Sequence, residues 1–540
     1  MKAKSLRGGL LVLVSFGICL SGSAATRICS VYLESYASLQ KQLAVGVGAF
    51  QAPQLGALSM MISAGLPGAA QMDNNKPLAL HVLDLGDGET GMVLEVSPSG
   101  AADAYLQALV GAGAALPPPV NGIYKLPNGT AVRVAGNRLF LAPNAKDPAA
   151  CLAADVDQLP GMPTLPGVLR ISLSPAALAP LLEKAGKAIP AAPAGGAPNA
   201  EQTRRTMEKA IAFYGQLLGQ LDALHLGINI QPEGLFIRSR LAPKAGTDIA
   251  AFVASAKPVG AAQLAFIEKD SLVSYAAGAS VIPEGLKRQF IDFYAQMVAL
   301  SPLYDATQTN DLAVVMSQST RKFDAPTALT ASLSADGSTL LAQGTMTMPN
   351  PAKYLDEQIA LLKTPAFQKL TSLSGGMQLS EPTTRDYKGV KAYAWKTVLD
   401  EQAMEKTVRA GIPANLPPEQ VEALVKSNLA TMRLVMKLFG GGYEYAATAK
   451  DFVFGMGTPA MLEAAVDRAQ AAPAASAEAA RIETLLAPSS EPHSLGRFSL
   501  SKLVLLMFAA QPELAAVVKD VPAGEGIVFA SWPYESERLT

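Results

Sequence analysis

An α+β protein made of two duplicated halves, each an antiparallel sheet with helices packed on one face, is what this sequence predicts. Three observations carry that reading. Short strand pairs joined by tight turns alternate with amphipathic helices along the chain. The connections are short. Four segments recur in the same order in both halves. Strands joined by tight turns pair antiparallel, and apolar helix stripes bury themselves on the sheet so formed.

The N-terminus stands apart from this pattern. Lys2, Lys4 and Arg7 precede a mostly apolar run from Leu10 to Leu20, which Ser21-Gly-Ser-Ala-Ala25 closes. A basic start, an apolar core of about ten residues and small residues at the cut define a secretory signal peptide. Such a run is shorter than the roughly 20 residues of a membrane-spanning helix. Cleavage is expected after Ala25, giving a signal peptide over 1–25 and a periplasmic or extracellular protein with no transmembrane segment after cleavage. An uncleaved anchor, or lipidation at Cys19, is the alternative; Ile18 is bulky where a lipidation site takes Gly or Ala.

The first half is expected over 26–258. Ile28 to Leu33 reads as a strand. Leu83 to Val96 reads as two strands around Asp87-Gly88, leading to a helix with Tyr105-Leu106. Val132 to Phe140 forms a hairpin, and Arg170-Ile-Ser-Leu-Ser174 a strand that enters a Leu-rich helix. A helix follows with Met207, Ile211, Tyr214, Leu218 and Leu221 on one face. Leu224, Leu226, Ile228 and Ile230 alternate with His225, Gly227 and Asn229, as a half-buried strand does. Pro232-Glu-Gly234 turns the chain into Leu235 to Leu241.

The second half is expected over 259–540, starting with a strand around Gln263 to Ile267. Leu333 to Met346 repeats the Asp-Gly hairpin at Asp336-Gly337, and Gly337 precedes Tyr354 by the interval that separates Gly88 from Tyr105. Ala446 to Phe454 matches Val132 to Phe140. Arg497-Phe-Ser-Leu-Ser501 matches Arg170 to Ser174, and Glu525 to Trp532 matches Glu233 to Arg240. An amphipathic helix carries Val421, Leu424, Val425, Leu429 and Met432; Pro417-Pro418 opens it and Gly440-Gly-Gly442 ends it. Pro/Ala-rich stretches at Ile189 to Pro198 and Ala471 to Ala475 read as linkers.

Composition narrows the function classes. Lys+Arg 44 stand against Asp+Glu 45, and losing the leader's three bases leaves the chain mildly acidic. No basic stripe stands out, so a nucleic-acid partner is not expected. After cleavage Cys29 and Cys151 remain. In an oxidising compartment they can pair, or they can stay as buried thiols.

Motifs for chemistry are sparse. His81, His225 and His493 sit in no zinc-ligand spacing and read as structural or solvated. Gly86-Asp-Gly88-Glu-Thr-Gly91 matches GxGxxG, but a strand and not a helix follows it, so no pyrophosphate rests there. Asp84, Asp87 and Glu89 cluster around a turn; the second copy keeps Asp336-Gly337 and loses the other acids, so the shared feature is the turn. No catalytic, cofactor-binding or metal-binding set is expected. Tyr387, Tyr393, Trp395, Tyr443 and Tyr445 gather in strands, and Tyr393 and Trp395, two apart, share a face. That pair is the one candidate ligand-facing site.

The leader, the repeated Asp-Gly hairpin and the Tyr-Leu helix after it resemble large exported bacterial proteins of unknown function with duplicated strand-turn-strand-helix modules. The resemblance spans most of the mature chain and implies no catalytic residues. The expected function is an exported, non-catalytic cell-envelope or secreted protein that binds or scaffolds an envelope or extracellular partner. A hydrolase using carboxylates and a carrier of a hydrophobic ligand are the alternatives. The first would show a cleft with two carboxylates, the second a long apolar pocket.

Overall fold

A computed structural model of the 540-residue chain describes residues 26–50, 56–57, 66–86, 89–111, 114–143, 147, 151–152, 165–188, 200–232, 234–299, 324–335, 339–364, 367, 377–412, 416–439, 442–486, 491–499, 501–503 and 527–532. The expected leader, the expected turns at Asp87-Gly88 and Asp336-Gly337 and the Ile189 to Pro198 stretch lie outside them. The fold is α+β, with two nine-stranded antiparallel sheets. The chain divides into two compact units, one of Met1–Pro190 and Ala210–Thr247, the other of Ala191–Lys209 and Asp248–Thr540.

The first sheet contains β1 (Thr26–Leu33), β2 (Leu78–Gly86), β3 (Glu89–Val96), β4 (Ile123–Lys125), β5 (Ala131–Ala135), β6 (Arg138–Ala142), β7 (Leu169–Leu173), β8 (Leu221–Gln231) and β9 (Gly234–Pro243). Their order is β4-β5-β6-β3-β2-β1-β7-β8-β9. Alternation splits the sheet's apolar residues between two faces. Val96, Leu139, Leu141 and Val132 pack on one face with Tyr105 and Leu106 of the helix Ala102–Val110. Leu83, Val93, Phe140 and Ala142 pack on the other with Cys151 and Leu152.

The second unit's strands are β10 (Val273–Ala277), β11 (Thr327–Leu333), β12 (Leu340–Thr347), β13 (Met377–Leu379), β14 (Thr383–Tyr387), β15 (Val390–Trp395), β16 (Thr397–Leu399), β17 (Tyr443–Ala447), β18 (Asp451–Met456), β19 (Ser494–Phe498) and β20 (Ile527–Ser531). Nine form the sheet β14-β15-β17-β18-β12-β11-β10-β19-β20, and β13 pairs with β16 alone. One face is built of small residues, Ala276, Ala328, Ala392, Ala446 and Val453, which lets Leu462, Ala465 and Val466 of the helix Pro459–Gln470 and Ile482 of the helix Ala477–Leu486 approach closely. At Gly455 a Cβ would stand 2.4 Å from the Leu462 amide. Only glycine fits under that helix.

Strand for strand, the sheets correspond around their centres. The trio β3-β2-β1 matches β12-β11-β10, the hairpin β5-β6 matches β17-β18, and β7 matches β19. The fourth sequence match is shifted. Glu525 to Trp532 resembles the segment of β9, yet β20 pairs with β19, as β8 pairs with β7. A Glu-Gly turn before an apolar strand recurs wherever hairpins occur, so it does not fix position. Gln263 to Ile267 also differs from its expected strand: Ala261–Leu264 is a short helix, and Leu264, Phe266 and Ile267 are buried from it and the following turn. Short apolar runs do not distinguish helix from strand.

Candidate functional site

The described surface of the second unit carries a cleft of about 380 Å³, within the usual range for small-ligand sites. Its walls are the chain around Asp324-Ala-Pro326, the end of β12 at Thr347 with Met348 to Asn350 after it, and the first turns of the helix Pro351–Leu362. Proline at its first position and Asn350 as its cap explain why the helix starts there; the Asn350 side chain accepts from the Lys353 amide at 3.4 Å. Lys353, Tyr354 and Glu357 thereby face the cleft. Opposite them, Asp324 accepts from the Ile282 amide at 2.9 Å and lies 3.6 Å from Lys287 Nζ. Thr347 accepts from Gln263 at 2.9 Å and donates to Asp451 at 2.5 Å, which pins the strand end.

Tyr354 joins this cleft to an aromatic cluster. Its ring centre is 4.7 Å from Phe452, which is 5.4 Å from Tyr445, itself 5.4 Å from Trp395. Trp395 stacks on Tyr393 at 6.4 Å. Burial, then the nearby Tyr445 and Glu357, push the Tyr354 hydroxyl far above the tyrosine range, and burial pushes Tyr445 up to about 12. Both phenols therefore stay protonated. Trp395, expected to face a ligand, is only 3 % exposed, and Tyr393 is half-buried. The indole is covered because β15 lies inside the sheet beside β17, so its face meets Tyr445 instead of solvent. From this cluster, Tyr354 is the ring that lines the cleft.

A second arrangement lies within the first unit. His81 Nδ1 is 2.7 Å from Ser30 Oγ, and its Nε2 is 3.4 Å from Glu95, which accepts from Arg138 at 3.0 Å. Register creates this row: Ser30 is opposite His81, and His81 opposite Val93, two residues from Glu95. Burial works to raise the Glu95 pKa, but hydrogen bonds from His81 and Arg138 outweigh it and hold the carboxyl below its ordinary range. A serine, a histidine and a carboxylate in sequence suggest a nucleophile, yet Ser30 and His81 are 0 % exposed. A nucleophile must reach its substrate; this row instead satisfies buried polar groups.

The remaining candidates are dispersed. His225 lies on β8 and His493 bonds the Lys257 carbonyl at 2.7 Å before β19. Asp84 sits on β2 opposite Thr90; Asp87 is outside the described residues. Cys29 and Cys151 are free thiols. Cys29 is opposite Val82, and Cys151 packs beside Gly91, whose register partner is Leu83. Adjacent residues Val82 and Leu83 point to opposite faces, so the sheet separates the two sulfurs and, of the two alternatives, the free thiols are the one found. Among the described residues no three His, Cys, Asp or Glu side chains converge to hold a metal, and no helix is long and apolar enough to cross a membrane. Comparison with protein-family models, with curated proteins and with solved structures gives no match.

Proposed function

We propose that this chain is an exported cell-envelope or secreted protein that acts by binding, with the cleft between Asp324 and the helix Pro351–Leu362 as its binding site. The cleft itself carries the reading. It presents one aromatic ring, Tyr354, with apolar Ala325, Pro326, Met348 and Pro349 and the charges of Asp324, Lys353 and Glu357. An apolar lining with few polar groups suits a ligand held by shape and oriented by charge. Its mixed charge fits a ligand bearing both signs, such as a short peptide, better than an all-apolar cargo. Export is supported by the leader's three parts, the basic Lys2, Lys4 and Arg7, the apolar run from Leu10 to Leu20 and the small residues that end at Ala25.

The experiment is a melting-temperature screen of the mature protein against short peptides and envelope oligosaccharides, repeated with Tyr354→Ala. A ligand that raises Tm in the parent and loses that effect in the variant supports the site. If every stabilising ligand acts equally on the variant, the cleft is not the site. N-terminal sequencing of protein recovered outside the cytoplasm should read from Thr26; intact Met1 there would contradict cleavage, and recovery from the cytoplasm alone would contradict export.

A second reading is favoured by one observation: two carboxylates, Asp324 and Glu357, line the same cleft. Paired carboxylates are the equipment of glycoside hydrolysis. Turnover of an oligosaccharide that vanishes in Glu357→Gln would replace binding with hydrolysis.

A further inference from the structure

The register of the first sheet gathers charges that lie far apart in sequence. Cross-strand partners share a face. Ser172 on β7 is opposite Ser30, His225 on β8 is opposite Ser172, and Arg240 on β9 is opposite His225. Arg27 on β1 is opposite Leu83, on the same face as His81. By alternation Arg170 and Arg238 join them. Of the carboxylates nearby, Glu95 is held by His81 and Arg138, and Glu34 lies 4.0 Å from Arg170 and offsets part of this charge.

Arg27, His225 and Arg240 are each half-buried. Two of their nitrogens, Arg27 Nη1 and His225 Nδ1, are buried with no hydrogen-bond partner among the described residues. Buried polar nitrogens are seldom left so, and each such case calls for an explanation. Arg27 Nη1 can only donate, and the imidazole nitrogen can donate in one tautomer or when charged. The guanidinium is a charge-assisted donor of the kind an oxyanion attracts, and the imidazole becomes one when an anion draws a proton to it. The electrostatics agree: burial, then the charges of Arg240 and Arg27, hold the His225 pKa below the ordinary histidine value.

We propose that Arg27, His225 and Arg240 form a binding site for a phosphate-type oxyanion on the first unit. It is independent of the cleft, on the other unit. Arg27 would supply the buried guanidinium donor, His225 a ring donor, and Arg240 the second positive charge from the sheet edge. Free phosphate and a phospholipid headgroup present the same chemistry, so the test has an arm for each.

The test uses the mature full chain labelled at histidine, whose three residues give separable ring signals. Inorganic phosphate is titrated against chloride at matched ionic strength, and the His225 midpoint is followed by NMR. A bound anion stabilises the imidazolium, so the midpoint should rise saturably, by about one pH unit, while the buried His81 signal reports that the fold is intact. Arg240→Ala and Arg27→Met should each abolish the rise; Arg240, on the edge strand, gives the variant less apt to disturb folding. Cosedimentation with vesicles of anionic phospholipid, against neutral ones, forms the second arm. A response to phosphate assigns the free ion, and one confined to anionic vesicles and lost in Arg240→Ala assigns a headgroup. Absence of both responses, or responses that persist in both variants, overturns the site.

Discussion

The two central strands carry the same residue in the same place and use it differently. Ser30 on β1 and Ser274 on β10 are each 0 % exposed, and each meets a polar neighbour across the sheet, His81 at 2.7 Å and Thr330 at 3.0 Å. In the second unit the polar row carries its own counter-charge, although Arg497 Nε and Gln343 Oε1 at its ends have no hydrogen-bond partner among the described residues. Ser274 also donates to Ser271 at 2.7 Å, and Arg497, its β19 neighbour, is 3.1 Å from Glu478 with both side chains almost wholly buried. The first unit has Ser172 where Arg497 stands and places its cations farther out, at Arg27 and Arg240, around His225. One unit thus sets its buried guanidinium against a carboxylate, and the other leaves Arg27 Nη1 and His225 Nδ1 with no hydrogen-bond partner among the described residues. Shared strand order does not imply shared electrostatics.

The comparison breaks first at Glu478. Glu478→Ala strands the buried Arg497, and removing one partner of a buried pair costs about 3–5 kcal/mol. Urea unfolding should show that loss; a change under about 1 kcal/mol would mean the pair behaves as a surface one. Packing comes next. Gly455→Ala forces a methyl into the Leu462 backbone, an overpacking worth about 1–3 kcal/mol, and a neutral result would show that the helix Pro459–Gln470 can shift.

A smaller effect is expected at Glu95, through pH. Its folded pKa is depressed, so its contribution is present above the unfolded value of about 4.3 and fades as pH falls through the lower folded value. Glu95→Gln should cost about 1 kcal/mol at neutral pH and flatten the acid limb in that window. An unchanged acid limb would place the pH sensitivity elsewhere, with Glu478, which its Arg481 and Arg497 partners likewise depress, as the next group to vary.

Alternation and turn chemistry made much of the architecture legible. The hairpin at Pro232-Glu-Gly234 and the helix opened by Pro417-Pro418 follow from local residues, and β8, β9 and the helix Pro418–Phe439 form there. Strand neighbours are a different matter, because register is set by pairing between distant segments. Nothing near His81 announces Ser30 or Arg138, and nothing near His225 announces Arg27. The same reason hid the basic face: its arginines are scattered along the chain and meet only through register. Tyr393 and Trp395 do lie on one face, as their spacing requires, but burial depends on Tyr445 from another strand. Tyr354 is marked in sequence only as part of a repeat, because the cleft it lines is closed by Asp324-Ala-Pro326 from a segment before β11.

Arg27 Nη1 has no partner among the described residues where Arg497 has Glu478, and the stability of Arg27→Met in phosphate-free buffer tests that contrast most directly. Methionine keeps most of the apolar stem and removes a charge that no described carboxylate balances, so urea unfolding should give a stability within about 1 kcal/mol of the parent, or above it. A loss of about 3–5 kcal/mol, matching that expected for Glu478→Ala, would contradict the account, because it would mean Arg27 is already held by a partner within the protein.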